Sequence, residues 1–271
     1  MIRQAIIPLA GLGTRLLPLT SVFAKELLPI NGKPGIEYIL EECIEAGIKE
    51  VVFIISKKKE MIKKYFHNDF FYKKIIKKKR DLRIINEYRK ILKYKKMIKF
   101  VYQDKPKGTG DAVLQTKKYI KDKFFLMLLP DDLIVKRNCS KDMINIHKKT
   151  KASIMASMKV KKSNTSRWGI YSIKKRINKK NFLISDVIEK PMVKDAPSNN
   201  AVIGRYILPK EIFEKLKKQK KGRGGEIHIT DSIKSLIYDG KPFIGHQFTG
   251  KYLDCGTHQG YVNSGLEISK I

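Results

Sequence analysis

Four short apolar runs, Ala5–Ala10 (AIIPLA), Val51–Ile55 (VVFII), Ile98–Tyr102 (IKFVY) and Phe124–Leu129 (FFLMLL), govern the first half of the chain. Each has the length of a buried strand, and helical patterns separate them. Ile36, Ile39, Leu40, Cys43 and Ile44 share one helix face, which Gly47 stops. Ser56 stands where it could cap a helix over 57–66, and a further helix is predicted over 111–120. Strand alternating with helix predicts an α/β chain with a parallel, doubly wound sheet. Strands predicted over 153–160, 169–173, 183–189 and 202–207, with helices over 210–218 and 226–238, make the second half less regular. No linker rich in Pro, Gly or Ser parts the halves, so 1–271 reads as one domain of two lobes.

With 271 residues, 42% of them hydrophobic, the chain can bury a real core. No apolar run reaches the ~18 residues of a membrane span. The apolar N-terminal stretch breaks at Gly11, so no secretory signal is expected. The 3 cysteines, Cys43, Cys139 and Cys255, lie far apart and suggest neither a zinc site nor a disulfide framework. A cytoplasmic protein is the expectation. Lys and Arg number 58 against 26 Asp and Glu, a net charge of +32, which attracts polyanions and makes nucleic-acid binding the rival reading. Against it, the lysines form no single stripe. They punctuate helices and loops, most densely from Lys73 to Lys99, with no RNP motif, zinc finger or aromatic–basic alternation. The region 67–96 reads as a basic insertion of two helices, and no specific nucleic-acid partner is expected.

Ligands of open parallel sheets bind beyond the carboxyl ends of the strands. The first run leads into Gly11-Leu12-Gly13-Thr14-Arg15, with Lys25 ten positions beyond Arg15. Leu16 stands where the dinucleotide fingerprint has its third glycine, and no Gly-Lys-Ser/Thr follows as in a Walker A loop. A glycine turn with a cation at each end still suits a phosphate chain. Leu27, Leu28 and Pro29 are expected to anchor Lys25 by apolar contact. Gln103 and the KGTGDA loop follow the third run, Asp131 and Asp132 the fourth, and Glu189-Lys190-Pro191 a strand of the second lobe. Together they suggest phosphoryl chemistry: Arg15 and Lys25 on a triphosphate, a carboxylate on Mg²⁺, and a lysine on a second phosphate. The 5 histidines are scattered and offer no triad.

The segments PLAGLGTRLLPLT and AKELLPINGKP, followed in order by ECIEAGIKEVVFI, VYQDKPKGTGDAVL, LLPDDLI, VIEKP, APSNNAVIGRYIL, GGEIHITDSI and YLDCGTHQGYV, resemble the sugar-1-phosphate nucleotidyltransferases over almost the whole length. The resemblance implies a Rossmann-like mixed, mainly parallel sheet flanked by helices as a nucleotide-binding lobe over about 1–135. A sugar-binding lobe over about 136–255 and a short C-terminal helix over 256–271 would complete the chain. It implies Mg²⁺-dependent transfer of UMP from UTP to glucose 1-phosphate, with thymidylyl transfer and a non-catalytic regulatory relative as alternatives. In that reading Ala10, Gly11, Gly13, Thr14 and Arg15 cradle the triphosphate, and Lys25 contacts the phosphates in the transition state. Gln103 and Gly108 read the uracil edge. Asp131 and Asp254 hold the metal. Gly169, Glu189 and Gly204 contact glucose, and Lys190 the sugar phosphate. Such enzymes form homo-oligomers, dimers or tetramers. Three positions depart from the family pattern: Ala24 where many members have proline, and Thr109 and Asp111 where Leu and His are common in the bacterial enzymes.

Overall fold

A computed structural model describes residues 1–271 apart from the side chain of Arg223. A nine-stranded sheet runs through the molecule in the order Ile98–Tyr102, Glu50–Ile55, Gln4–Pro8, Phe124–Leu128, Asn200–Pro209, Ser153–Lys159, Phe243–Gln247, Asn181–Glu189, Gly169–Arg176. The first four strands pair in parallel. The runs Val51–Ile55, Ala5–Pro8 and Phe124–Leu128 have no polar alternation because helices cover both faces, whereas the edge strand Ile98–Tyr102 exposes Lys99. Ile7 and Phe53 turn to one side and meet Ile36, Ile39 and Leu40 of helix Gly35–Glu45. Ile6, Val52 and Phe125 turn to the other and meet Phe213 and Leu216 of helix Ile212–Lys218.

Asn200–Pro209, buried along all ten residues, joins the two halves. It runs antiparallel both to Phe124–Leu128 and to Ser153–Lys159. Beyond it parallel pairing returns only between Ser153–Lys159 and Phe243–Gln247. The sheet is thus mixed, with its parallel order concentrated in the first half.

Several local expectations are corrected. The helix expected over 111–120 is a short one, Thr109–Leu114. Thr116 ends it, because its Oγ1 and N–H both bond the Val113 carbonyl and start a turn. Ser56 makes no side-chain cap, and the chain passes through a 3-10 turn, Lys57–Lys59, before helix Glu60–His67. The lysine-rich region holds helices Asp69–Lys79 and Leu82–Met97, the first with no buried residue and the second burying Ile91 and Tyr94. No helix of the described residues is long and apolar enough to cross a membrane. All three cysteines are buried and free.

A small two-stranded ribbon completes the strand ends. Directly after the fourth strand, Asp132–Val135 pairs antiparallel with Lys251–Asp254, with Asp254 opposite Asp132. This ribbon brings the C-terminal part of the chain back beside the first half.

Candidate active site

The carboxyl ends of the strands open into a cleft of about 930 Å³. Ala10, Gly11, Gly13, Thr14, Arg15, Lys25, Gln103, Gly108, Asp131, Gly169, Glu189, Lys190, Gly204 and Asp254 all line it.

Gly11 is exposed, and a Cβ there would meet nothing within 4 Å, so space is left on the cleft side of the loop. Gly13 is needed for its backbone: φ is +70°, left-handed, and it starts the 3-10 turn Thr14–Leu16. Thr20 pins this turn by donating from Oγ1 to the Gly13 carbonyl at 2.8 Å. Arg15 is left exposed at its end.

Lys25 sits in a second 3-10 turn, Lys25–Leu27. The apolar anchor expected of Leu27, Leu28 and Pro29 is met only in part, for Leu27 packs half-buried against the core, Leu28 is half-buried and Pro29 is exposed. Buried Ala24 and Glu26 hold the turn, and Lys59 Nζ donates to both Glu26 oxygens at 2.8 Å. With Ala24 and Glu26 buried on either side, Lys25 lines the cleft.

There Lys25 Nζ lies 2.6 Å and Arg15 Nη2 3.2 Å from one oxygen of Asp131, Oδ2. Burial disfavours the charged lysine, but Asp131 and Glu26 outweigh it and hold the Lys25 pKa above its ordinary value. Burial likewise pushes the Asp131 pKa up, yet the Lys25 charge and hydrogen bond, with Arg15, bring it below the usual carboxylate value. Lys25 and Asp131 are therefore both charged at neutral pH.

Asp132 has a different task. Its Oδ1 accepts from Tyr252 Oη at 2.7 Å and its Oδ2 from the Gly204 N–H at 2.9 Å. It braces the ribbon against the central strand. Burial and the neighbouring Asp131 charge push its pKa up to about 6. A carboxyl raised in the folded state adds stability that is full below its unfolded pKa and is lost as pH rises through about 6. Asparagine can keep both contacts, its oxygen for Gly204 and its NH2 for Tyr252, without titrating. Thermal unfolding at about pH 4 and about pH 7 should therefore show Asp132→Asn gaining stability relative to the parent as pH rises.

The wall opposite the glycine turn is built by the segment Pro106–Asp111. Gly110 N–H donates to the Ile227 carbonyl at 2.7 Å and Ile227 N–H to the Lys107 carbonyl at 2.8 Å. The fit admits no side chain at Gly108, where a Cβ would lie 2.6 Å from the Ile227 oxygen. Behind this segment Gln103 is buried and donates from Nε2 to Asp111 Oδ2.

Glu189, Lys190 and Gly169 meet the far end of the cleft. Glu189 accepts from Thr230 Oγ1 at 3.1 Å, and its other oxygen is 3.8 Å from Lys190 Nζ. Lys190 takes a left-handed φ of 45°, held by its N–H donating to the Trp168 carbonyl. Gly169 leaves room beside Glu189. Gly204 has its N–H on Asp132 and its carbonyl on Leu129, so it can offer a ligand only its Cα surface. Packing explains the glycine, since a Cβ there would lie 2.5 Å from both Asp132 and Leu129.

Asp254 and Asp131 come together through Cys255, whose N–H donates to the Asp131 carbonyl, and through Gly256, where a Cβ would crowd both Asp131 and Arg15. Among the described residues no group of three or more His, Cys, Asp or Glu could hold a metal alone. Two carboxylates on one cleft nevertheless fit Mg²⁺, which takes few protein carboxylates and completes its shell with substrate phosphates and water.

Sequence reasoning missed Arg167, whose Nη2 lies 3.6 Å from Asp254 Oδ2, and the aromatic floor of Trp168 and Tyr252. It also missed the arginine beneath the site. Arg205, fully buried, donates to both oxygens of Glu42 and to the carbonyls of Leu129 and Gly204. That fork fixes the two backbone segments between which Asp131 and Asp132 are held. The one sequence sign of Arg167 is its place two residues before Gly169.

The sequence profile of the nucleotidyl transferase family matches residues 4–270. A UTP–glucose-1-phosphate uridylyltransferase of Streptococcus pyogenes is 37% identical over 276 aligned residues, covering 99% of this chain and 89% of its own. The structure of a UDP-glucose pyrophosphorylase in complex with UDP-glucose superposes with a TM-score of 0.88 at 34% identity, covering 100% of this chain and 99% of that one. A UTP-bound enzyme from Acinetobacter baumannii gives 0.88 at 31% identity, covering 99% and 93%.

Proposed function

The chain belongs to the nucleotidyl transferase family, and from that premise we propose that it transfers UMP from UTP to glucose 1-phosphate, releasing pyrophosphate and forming UDP-glucose. The observation that carries this reading is the convergence, in one cleft, of a glycine turn, two cations on one carboxylate, a buried glutamine and a second-lobe lysine. Relatives whose names carry this activity match the chain over nearly its whole length.

UTP enters with its phosphates along Gly11–Arg15 and its base against Gln103 and Gly108. Glucose 1-phosphate lies in the second lobe, its sugar beside Glu189 and Gly169 and its phosphate at Lys190. A phosphate oxygen of the sugar attacks the α-phosphorus. The new P–O bond forms as the bond to the bridging oxygen breaks, and the electron pair leaves with pyrophosphate. Little covalent chemistry is asked of the protein, so positioning and charge do most of the work. Lys25 and Arg15 are the cations for the charge gathered on the leaving group. Asp131 holds both where they are needed. Asp131 and Asp254 would hold Mg²⁺, which, when bound, neutralises phosphate oxygens. Trp168 and Tyr252 line the cleft and limit the water that reaches the reacting phosphate.

The test is pyrophosphate release from UTP plus glucose 1-phosphate with Mg²⁺, with each component omitted in turn. Release that requires all three supports the reading. Release that is independent of glucose 1-phosphate, or absent, sinks it.

A further inference from the structure

Gln103 and Asp111 form a buried pair in the cleft wall, 5% and 9% exposed. Gln103 Nε2 donates to Asp111 Oδ2 at 2.7 Å and to the Gly108 carbonyl at 3.2 Å. A carboxylate and a carbonyl can only accept, so the amide end placed between them must be the NH2. Turning the amide over would set three acceptor oxygens against one another without solvent, which is costly. Both N–H bonds of the side chain are thereby used.

What remains is Oε1. It accepts from no described residue, yet it is not sealed inside the protein, and Gln103 lines the cleft. The carboxylate cannot drift, because the Gly108–Gly110 segment is locked against Ile227. A favourable place for an acid in the first turn of helix Thr109–Leu114 explains a carboxylate at 111. It does not explain why that carboxylate is turned inward onto a glutamine.

We propose that Asp111 is a specificity-setting residue: by taking the donor end of Gln103 it makes that side chain an obligate acceptor toward the nucleobase. The cleft then takes a base that offers an N–H at that place, the imide edge shared by uracil and thymine. It rejects cytosine, whose ring nitrogen there is another acceptor. Asp111 touches no substrate and acts through Gln103. The inference rests on the proposed function for the placement of the base beside Gln103.

The isosteric Asp111→Asn tests it. An asparagine can offer Gln103 its NH2 as readily as its oxygen, so only the longer bond to the Gly108 carbonyl still fixes the amide, and the orientation that presents Nε2, a donor that suits cytosine, becomes accessible. Affinities for UTP, dTTP and CTP are measured by titration calorimetry, and kcat/KM with glucose 1-phosphate by pyrophosphate release. The parent should prefer UTP to CTP by about 100-fold or more, as a site built around one hydrogen-bond pattern does. In Asp111→Asn that preference should fall by about tenfold or more, chiefly through better use of CTP, with UTP against dTTP unchanged. An unchanged UTP-to-CTP ratio overturns the proposal, as does an equal loss for all three nucleotides, which would make Asp111 a prop for the loop. If the variant does not fold, N3-methyl-UTP on the parent decides: weaker binding than UTP supports the acceptor, and equal binding overturns it. The binding ratios judge Asp111 even if no pyrophosphate is released, an outcome that counts against the proposed function alone.

Discussion

Lys25→Ala is expected to lower kcat by about 10²–10³, the usual worth of a preorganised group aimed at transition-state charge, with a smaller change in UTP affinity. The geometry supports the asymmetry. Lys25 is not a loose surface cation: its side chain is 14% exposed, and its turn is fixed from below by the buried Glu26–Lys59 pair. Its pKa is raised, so it carries its charge throughout the working pH range. A cation fixed in this way gains most when negative charge moves onto the departing pyrophosphate, and that differential raises kcat rather than lowering KM. Lys25→Arg should rescue only in part, because a planar fork spreads over space that a compact ammonium fills. Steady-state kcat and equilibrium UTP binding on both variants provide the check. A variant that loses UTP binding but keeps its kcat at saturation would reduce Lys25 to a tether.

The parts of this molecule visible in its sequence are those set by local pattern. The parallel strands could be read because covering both faces leaves uninterrupted apolar runs, as in Val51–Ile55. The glycine turn could be read because Gly13 needs a left-handed φ. The ribbon of Asp132–Val135 and Lys251–Asp254 could not: each strand is four residues long, and the partners are about 120 positions apart. Its pairing depends on the rest of the fold, and it carries Asp254. Arg205 was hidden for the same reason, since its partner Glu42 is 163 positions away and Ile203 and Ile207 make the strand around it read as plain core. The anchor beneath Lys25 is legible only in part, because Leu27 carries an apolar signal and packs against the core, while the Glu26–Lys59 pair carries none before folding. Gln103 and Asp111 are only eight positions apart, yet their pairing requires the Gly108 turn between them.

Asp131→Asn should cost more turnover than any other single exchange in the cleft, about 10³-fold or more, beyond the loss of one oriented donor. One oxygen of Asp131 holds both Lys25 and Arg15, and the same carboxylate is one of the two proposed for Mg²⁺. Asparagine keeps the shape and leaves a carbonyl to accept from Lys25, so steric loss is small. What disappears is the negative charge, on which both the metal and the orientation of the cations depend. Raising Mg²⁺ should restore part of the activity if the metal is held there. Stability should fall as well, by about 1–3 kcal/mol, the usual cost of leaving a buried polar group short of its partner, because the Lys25 ammonium keeps its burial and a hydrogen bond but loses its counter-charge. The two residues form one unit, so Lys25→Ala/Asp131→Asn should be less destabilised than the sum of the single variants. Urea unfolding of the four proteins measures that coupling, and a Mg²⁺ titration of pyrophosphate release measures the rest. Near-normal turnover of Asp131→Asn at low Mg²⁺ would move the metal elsewhere in the cleft. Strict additivity in the unfolding cycle would mean that the 2.6 Å contact between Lys25 and Asp131 carries no net energy, and the cleft would have to orient its lysine by the Glu26–Lys59 anchor alone.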